Sequence, residues 1–296
     1  MSGGGSGSGG DGPWRRRRRP PGRGGRPDHG GRDRERHAAP PADAAARPDR
    51  RDEVRLYGMN AVQATFARRP QAIRKLYLAG PRIPELQPLL KWCVANRVGY
   101  RVVDEEAELG RLAGSGRHEG VVADVLREPV PALGEWLPAL AAGPQCLLWL
   151  DGVGNPHNFG AILRSAAHFG VAAVLLPADA ELALSGAAAR VAEGGAEAVP
   201  LVRMGAPGES MDLLRGAGFA LAATVVEGGD DLFAARLPGR LVYVMGAEGE
   251  GMDRGLADAC DLRLSIPGTG AVESLNVAAA TAVFLAAWCQ VATAET

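Results

Sequence analysis

The chain has 296 residues, 46% of them apolar, and a formal net charge of −1. That length accommodates two ordinary domains with real cores, and that apolar share excludes a wholly disordered protein. The small net charge conceals an asymmetry: residues 1–55 hold 14 arginines against 8 acidic residues, about +6, and the rest of the chain sums to about −7.

Residues 1–53 form a basic arm. M-S-G-G-G-S-G-S-G-G opens it, and five arginines follow Trp14. With almost nothing apolar to bury, this stretch is expected to stay disordered. Its arginines attract polyanions, of which nucleic acid is the commonest in a cell, although a solubilising tail is the competing reading. Four cysteines, at 93, 146, 260 and 289, show neither metal-ligand spacing nor a close pair. They point to a reducing cytoplasm and to no metal site. The start of the chain lacks the charged, apolar and small-residue succession of a signal peptide. The apolar run 277–294 is rich in alanine and follows a polar cap, which fits a buried helix better than a membrane span.

From Val54 to Glu128 the pattern alternates between helix and strand. A helix is expected over 60–68, a strand over 73–79, a helix over 86–96, a strand over 100–103, a short helix over 105–112 and a strand over 121–125. This is a small α/β domain. Pro129, Pro131, Gly134, Pro138, Gly143 and Pro144 punctuate the next stretch, so a linker is expected over 129–144.

The second domain, 145–296, opens with the apolar strand C146-L-L-W-L150. Further strands are expected over 173–176, 200–203, 220–226, 241–245 and 262–266, with Ala-, Gly- and Leu-rich helical segments between them. Short, continuously apolar strands alternating with helices imply a parallel sheet covered on both faces. Ligands of such sheets bind beyond the carboxyl ends of the strands. Three unusual loops occupy that side: 151–158, 246–251 and 267–274.

The first loop, D151-G-V-G-N-P-H-N158, runs into a helix for which Asn158 is a plausible N-cap. Ile162, Ala166 and Phe169 share one face of that helix and are expected to pack on the sheet, with Arg164 roughly opposite and His168 one turn on. A helix N-terminus beside a guanidinium makes a receptor for a phosphate or a developing oxyanion, although a surface ion pair is the usual fate of an arginine. The second loop, G246-A-E-G-E-G251, lets a ligand approach the backbone closely, or is a plain glycine turn. Its G-x-x-G-x-G order, late in the chain, does not make the G-x-G-x-x-G fingerprint of a nicotinamide-dependent oxidoreductase. The third loop, I266-P-G-T-G-A-V-E-S-L-N276, brings Ser274 and Asn276 to the start of the last helix, where capping alone would explain them.

Taken together, N155-P-H-N-F-G-A-I-L-R164, M245-G-A-E-G-E-G251 and I266-P-G-T-G-A-V-E-S-L-N276 resemble the three motifs of the SpoU, or TrmH-like, RNA ribose 2′-O-methyltransferases, in order and spacing across 146–290. Residues 54–126, through Y57-G-M-N-A-V62 and H118-E-G-V-V-A123, resemble the L30e-like substrate-binding domain that precedes the catalytic domain in many members. The resemblance implies a SPOUT fold, an α/β domain whose C-terminal part is threaded into a trefoil knot. It also implies bound S-adenosylmethionine, an RNA substrate (rRNA or tRNA) and a homodimer with its sites near the subunit interface. By motif position, Gly246, Ile266 and Leu275 would contact the donor, and Asn158, Arg164, Glu248, Ser274 and Asn276 fall on active-site positions. A guanidinium gives up its proton very reluctantly, so Arg164 is expected to stabilise the developing alkoxide and to grip the adjacent phosphate rather than act as the base.

Two segments depart from the family pattern. Around R190-V-A-E-G-G-A-E197 better-known members show a serine-glycine-alanine pattern where Glu193 and Gly194 intervene here, and H118-E119-G120 has Glu where Gln is frequent. An acidic body is also unexpected for an RNA enzyme. Either the arm compensates for it, or Arg55, Arg68, Arg69, Arg74, Lys75, Arg101 and Arg117 gather into one patch. The leading expectation is a methyltransferase acting on structured RNA. The alternative is a non-catalytic RNA-binding protein of ribosome assembly that retains the fold.

Overall fold

The computed structural model describes residues 52–247 and 251–294. Nearly all of the basic arm, and Glu248 in the second loop, lie outside them.

The first half builds a four-stranded sheet. Its elements are β1 (Glu53–Tyr57), α1 (Met59–Arg68), β2 (Ile73–Ala79), α2 (Gln87–Ala95), β3 (Gly99–Val103), α3 (Glu106–Ala113) and β4 (Val121–Leu126), with strand order β1-β4-β2-β3. β4 runs antiparallel to both β1 and β2, and β3 runs parallel to β2. Leu76 and Leu78 of β2 pack with Val121, Ala123 and Val125 of β4 in a core closed by Val62 of α1 and Leu89 and Cys93 of α2. α3 covers the other face, where Leu109 meets Tyr77 and Val122. Period-two alternation on β4 sends successive side chains to these two clusters.

The stretch expected as a linker carries a helical turn, α4 (Leu133–Trp136), and both Leu133 and Leu137 are buried. Beyond it come β5 (Gln145–Leu150), α5 (Pro156–His168), β6 (Ala173–Leu176), α6 (Gly186–Ala192), α7 (Gly195–Ala198), β7 (Leu201–Arg203), α8 (Pro207–Gly216), β8 (Ala220–Thr224), β9 (Asp230–Asp231), β10 (Arg240–Met245), α9 (Arg254–Ala259), β11 (Leu262–Ser265) and α10 (Val277–Ala294). The strands form one sheet in the order β7-β6-β5-β10-β8-β11-β9, and every pairing in it is parallel.

Continuous burial along β5 and β10 follows from cover on both faces. Cys146, Leu148 and Leu150 of β5 pack with Phe159 and Ile162 of α5 and with Phe284 and Leu285 of α10. Leu147 and Trp149 face the opposite way, toward Leu133 of α4 and Met211 and Leu214 of α8. α10 is therefore a core helix, and no described helix is long and apolar enough to cross a membrane.

The two sheets belong to one compact unit. Ala189 of α6 is buried within the core of the small sheet, and a Cβ on Gly186 would lie 2.4 Å from the Arg55 carbonyl of β1.

Candidate active site

Parallel strands place all their carboxyl ends on one edge of the sheet, so the loops after β5, β10 and β11 start out as neighbours. The first two touch. The Asp151 N–H donates to the Met245 carbonyl at 2.8 Å, and Gly152, at φ 81°, leaves a space that a Cβ would close to 2.9 Å from Ala247. The second loop folds back on itself, with Ala247 and Gly251 exchanging backbone hydrogen bonds at 3.1 Å. Gly246 has no room for any side chain, because its Cβ would lie 2.7 Å from the Met252 nitrogen.

The third loop joins the first through side chains. Asn276 Nδ2 donates to Asn158 Oδ1 at 3.1 Å, and Asn276 Oδ1 accepts from the Ala278 N–H at 3.0 Å, capping α10. The structure corrects the expected role of Asn158. The N-cap of α5 is Asn155, whose side chain accepts from the His157 N–H at 2.8 Å, and Asn158 stands in the first turn with its amide turned to Asn276. The physical reason is Pro156: proline's fixed φ suits the first helical position, so the residue before it becomes the cap.

Ile162 and Ala166 of α5 are buried and Phe169 half-buried, as the helical spacing requires, and Arg164 is exposed on the far side. No ion pair or hydrogen bond holds its guanidinium among the described residues, in contrast to the paired arginines of the small sheet. Ile266 is half-buried against the core at the end of β11. Ser274 and Leu275 are exposed, and Leu275, at 47%, stands near another uncovered apolar side chain, Val272, at 71%. Glu248 lies outside the described residues, so its expected place in the site is not part of this geometry.

These features fit the donor the motifs imply. Gly246, with no space for a side chain, presents main-chain groups, and Leu275 and Val272 offer apolar surface that nothing described covers. Among the described residues, no cluster of His, Cys, Asp and Glu is placed to hold a metal.

Sequence reasoning missed three features that matter here. Asn155 carries the cap, Gly160 and Gly195 give α5 its close neighbours, and Glu197 binds Arg69. The pair Asn155-Pro156 signalled the first, whereas nothing local marked the others.

Fold and site together define an α/β protein with three loops gathered at the carboxyl edge of a parallel sheet and, among the described residues, an unpaired cation on α5. Comparison with known proteins gives the class a family. A model described as the SpoU rRNA Methylase family matches residues 145–286, and one described as RNA 2′-O ribose methyltransferase substrate binding matches residues 55–129. The chain is 40% identical over 280 residues to the uncharacterized tRNA/rRNA methyltransferase YfiF of Escherichia coli O157:H7, covering 94% of this chain and 79% of that one. It is 37% identical over 234 residues to the 23S rRNA (guanosine-2′-O-)-methyltransferase RlmB of Pseudomonas syringae pv. tomato, covering 78% and 93%. An AdoMet-bound rRNA methyltransferase from Sinorhizobium meliloti has the same fold, with a TM-score of 0.68 at 22% identity over 82% of this chain and 88% of the other. So does the SpoU methyltransferase AviRb from Streptomyces viridochromogenes in complex with AdoMet, with a TM-score of 0.68 at 24% identity over 83% and 92%. The chain belongs to the SpoU family of RNA methyltransferases.

Proposed function

We infer that the chain transfers a methyl group from S-adenosylmethionine to a ribose 2′-hydroxyl of structured RNA. Ribosomal RNA is the favoured substrate, because the RlmB relatives act on 23S rRNA by name. The observation that carries the reading is the meeting of three distant loops, through Asn158 and Asn276 and through Gly152 and Ala247, on the edge served by the helix of Arg164.

S-adenosylmethionine supplies a methyl group on a sulfonium, already electrophilic. The protein's task is then to align the attacking hydroxyl and to stabilise the charge that develops on it. Gly246, Ile266 and Leu275 form the donor side, through main-chain groups and apolar contact. Arg164, with no ion pair or hydrogen bond among the described residues, stabilises the forming alkoxide and grips the neighbouring phosphate with its planar fork. The amide pair Asn158–Asn276 fixes the start of α5 against the third loop, and Ser274 and Glu248 orient the guanidinium. The hydroxyl proton leaves through phosphate or water.

The small sheet is the RNA-gripping domain of this reading, spanning 54–128, with 145–296 as the catalytic domain. Beside α3 the Lys75 ammonium lies 4.9 Å from the ring centroid of the buried Tyr77, with the Arg101 and Arg55 guanidinium groups at 5.6 and 6.0 Å. Cations gathered in one place on the sheet suit an RNA backbone. The patch is smaller than the sequence allowed, since Arg69 is committed to Glu197, and Arg55 and Arg101 are paired with Asp124 and Glu108. A homodimer, a threaded C-terminal knot and a cytoplasmic location complete the proposal.

The test is Arg164→Ala, read with tritium-labelled donor on total RNA from cells lacking the protein. Methyl transfer is expected to fall by roughly 10²-fold or more while calorimetry shows donor binding retained. Normal transfer by that variant would overturn the role. Absence of donor binding to the unaltered protein would favour a non-catalytic RNA-binding protein.

A further inference from the structure

The two segments that depart from the family's pattern, at 119 and 190–197, meet in space. Arg190 of α6 donates through Nη2 to Glu119 and through Nε to the Arg117 carbonyl at 3.2 Å, and its Nη1 lies 3.6 Å from Glu193. Glu119 also accepts the Met59 N–H at 2.9 Å, at the start of α1. Glu193 accepts from the side-chain amide of Asn60. Farther along α1, Thr65 Oγ1 donates to Glu197 at 2.9 Å. Arg69, just past the helix, closes a two-pronged pair with the same carboxylate at 2.6 and 2.7 Å and donates to the Leu126 carbonyl at 2.6 Å. The side chains of Glu197 and Arg69 are only 4% and 13% exposed, so water screens this pair little.

Backbone conformation singles out the same spot. Glu119 and Glu193 take left-handed φ values of 54° and 51°, a region disfavoured for residues with a Cβ. Such strain persists where the surroundings over-determine it. A corner that needed only its shape would accept glycine at 193, as it does at 194. The Glu193 carboxylate instead accepts from Asn60 and lies beside Arg190.

The other side of the corner presses on the catalytic helix. A Cβ on Gly195 would lie 2.7 Å from the Leu163 carbonyl and 3.0 Å from the Cα of Arg164, and one on Gly160 would lie 2.4 Å from the Ala188 carbonyl. No layer of side chains separates α7 from the backbone that carries Arg164.

We propose that the α6–α7 corner is a positioning device: Arg190, Glu193 and Glu197 fix the RNA-binding sheet to the backbone of Arg164. An RNA held on the small sheet then meets the transfer site at one set distance and angle. A tethered small domain would tolerate many spacings between anchor and target, whereas this one measures a single span and selects RNA by it. The inference rests on the RNA methyltransferase reading above, and Arg164→Ala tests that reading separately.

The variant Asn60→Ala/Glu193→Gly removes the Asn60–Glu193 link and leaves Arg190–Glu119 and Arg69–Glu197 in place, while glycine suits the left-handed backbone, so the fold survives. With tritium-labelled S-adenosylmethionine and total RNA from cells lacking the protein, kcat is expected to fall about tenfold or more, since small misplacements of reacting groups are costly. The KM for RNA and the calorimetric donor affinity should each change by no more than about twofold, the signature of lost alignment rather than lost binding. Amide exchange over residues 59–69 should accelerate. Arg69→Lys, which keeps the charge but loses the fork, should show the same pattern in weaker form. Unchanged kcat in both the double variant and Arg69→Lys would overturn the proposal, and so would a fall in kcat accompanied by loss of donor binding, which would make the corner a support of the donor site alone.

Discussion

Asp151 follows β5 at the mouth of the site, half-buried, and its carboxyl is held above the usual carboxylate range, first by burial and then by the charges of Asp253 and Asp179. An acid whose pKa is raised on folding binds its proton more tightly in the folded state. Its contribution therefore disfavours folding progressively as pH rises through the window between the ordinary and the raised value, and the full cost remains at neutral pH. Asp151→Asn removes that cost. The variant is expected to melt higher than the parent at pH 7, with the gain shrinking to nothing below the ordinary carboxylate range; a gain that persists unchanged at low pH would exclude this cause. Among the site residues themselves, types and order were legible in the sequence, because glycine turns and capping amides carry local signatures. The Asn276–Asn158 bond was not, since it joins residues 118 positions apart. The cap was misplaced by three residues although Pro156 marked its true position.

At the scale of elements, α5 is a helix packed on two sides, with the sheet under Ile162 and Ala166 and the α6–α7 corner against Gly160 and the Leu163–Arg164 backbone. Its small residues are what permit the second contact. Gly160→Ala adds one methyl group at a point only 2.4 Å from the Ala188 carbonyl, so α5 and α6 must separate. Overpacking of this kind destabilises by about 1–3 kcal/mol, against a gain of up to roughly 1 kcal/mol from alanine's better helix propensity. A net loss of stability in urea unfolding is expected, together with reduced methyl transfer as Arg164 shifts; a variant more stable than the parent would show that the contact is looser than described. The strands of the large sheet were legible because continuous apolar runs reflect cover on both faces. β9, two residues long, was too short for a periodicity to register, and β1, five residues long, went unread at the edge of the arginine-rich arm. The stretch 129–144 reads as a linker by its prolines and glycines, yet Leu133 and Leu137 bury themselves against β5, a contact that composition does not reveal.

For the whole molecule the open question is whether two sheets in one chain behave as one body. Their cores are separate clusters, which by itself would allow the halves to melt apart, but Ala189 of α6 completes the core of the small sheet, and the Arg69–Glu197 pair spans the junction almost out of water. A buried pair adds little net stability compared with apolar packing, yet breaking it is costly, because the surviving charge stays buried without a partner. That asymmetry makes the junction cooperative: neither half is able to leave without stranding a charge of the other. Calorimetry is therefore expected to show one heat-absorption peak for both sheets, with matching calorimetric and van't Hoff enthalpies. Glu197→Ala should lose about 3–5 kcal/mol and split the transition in two, as the small sheet, no longer held at Arg69, melts ahead of the parallel sheet. Two peaks in the unaltered protein would mean that the halves are only neighbours, and the ion pairs between them surface decoration.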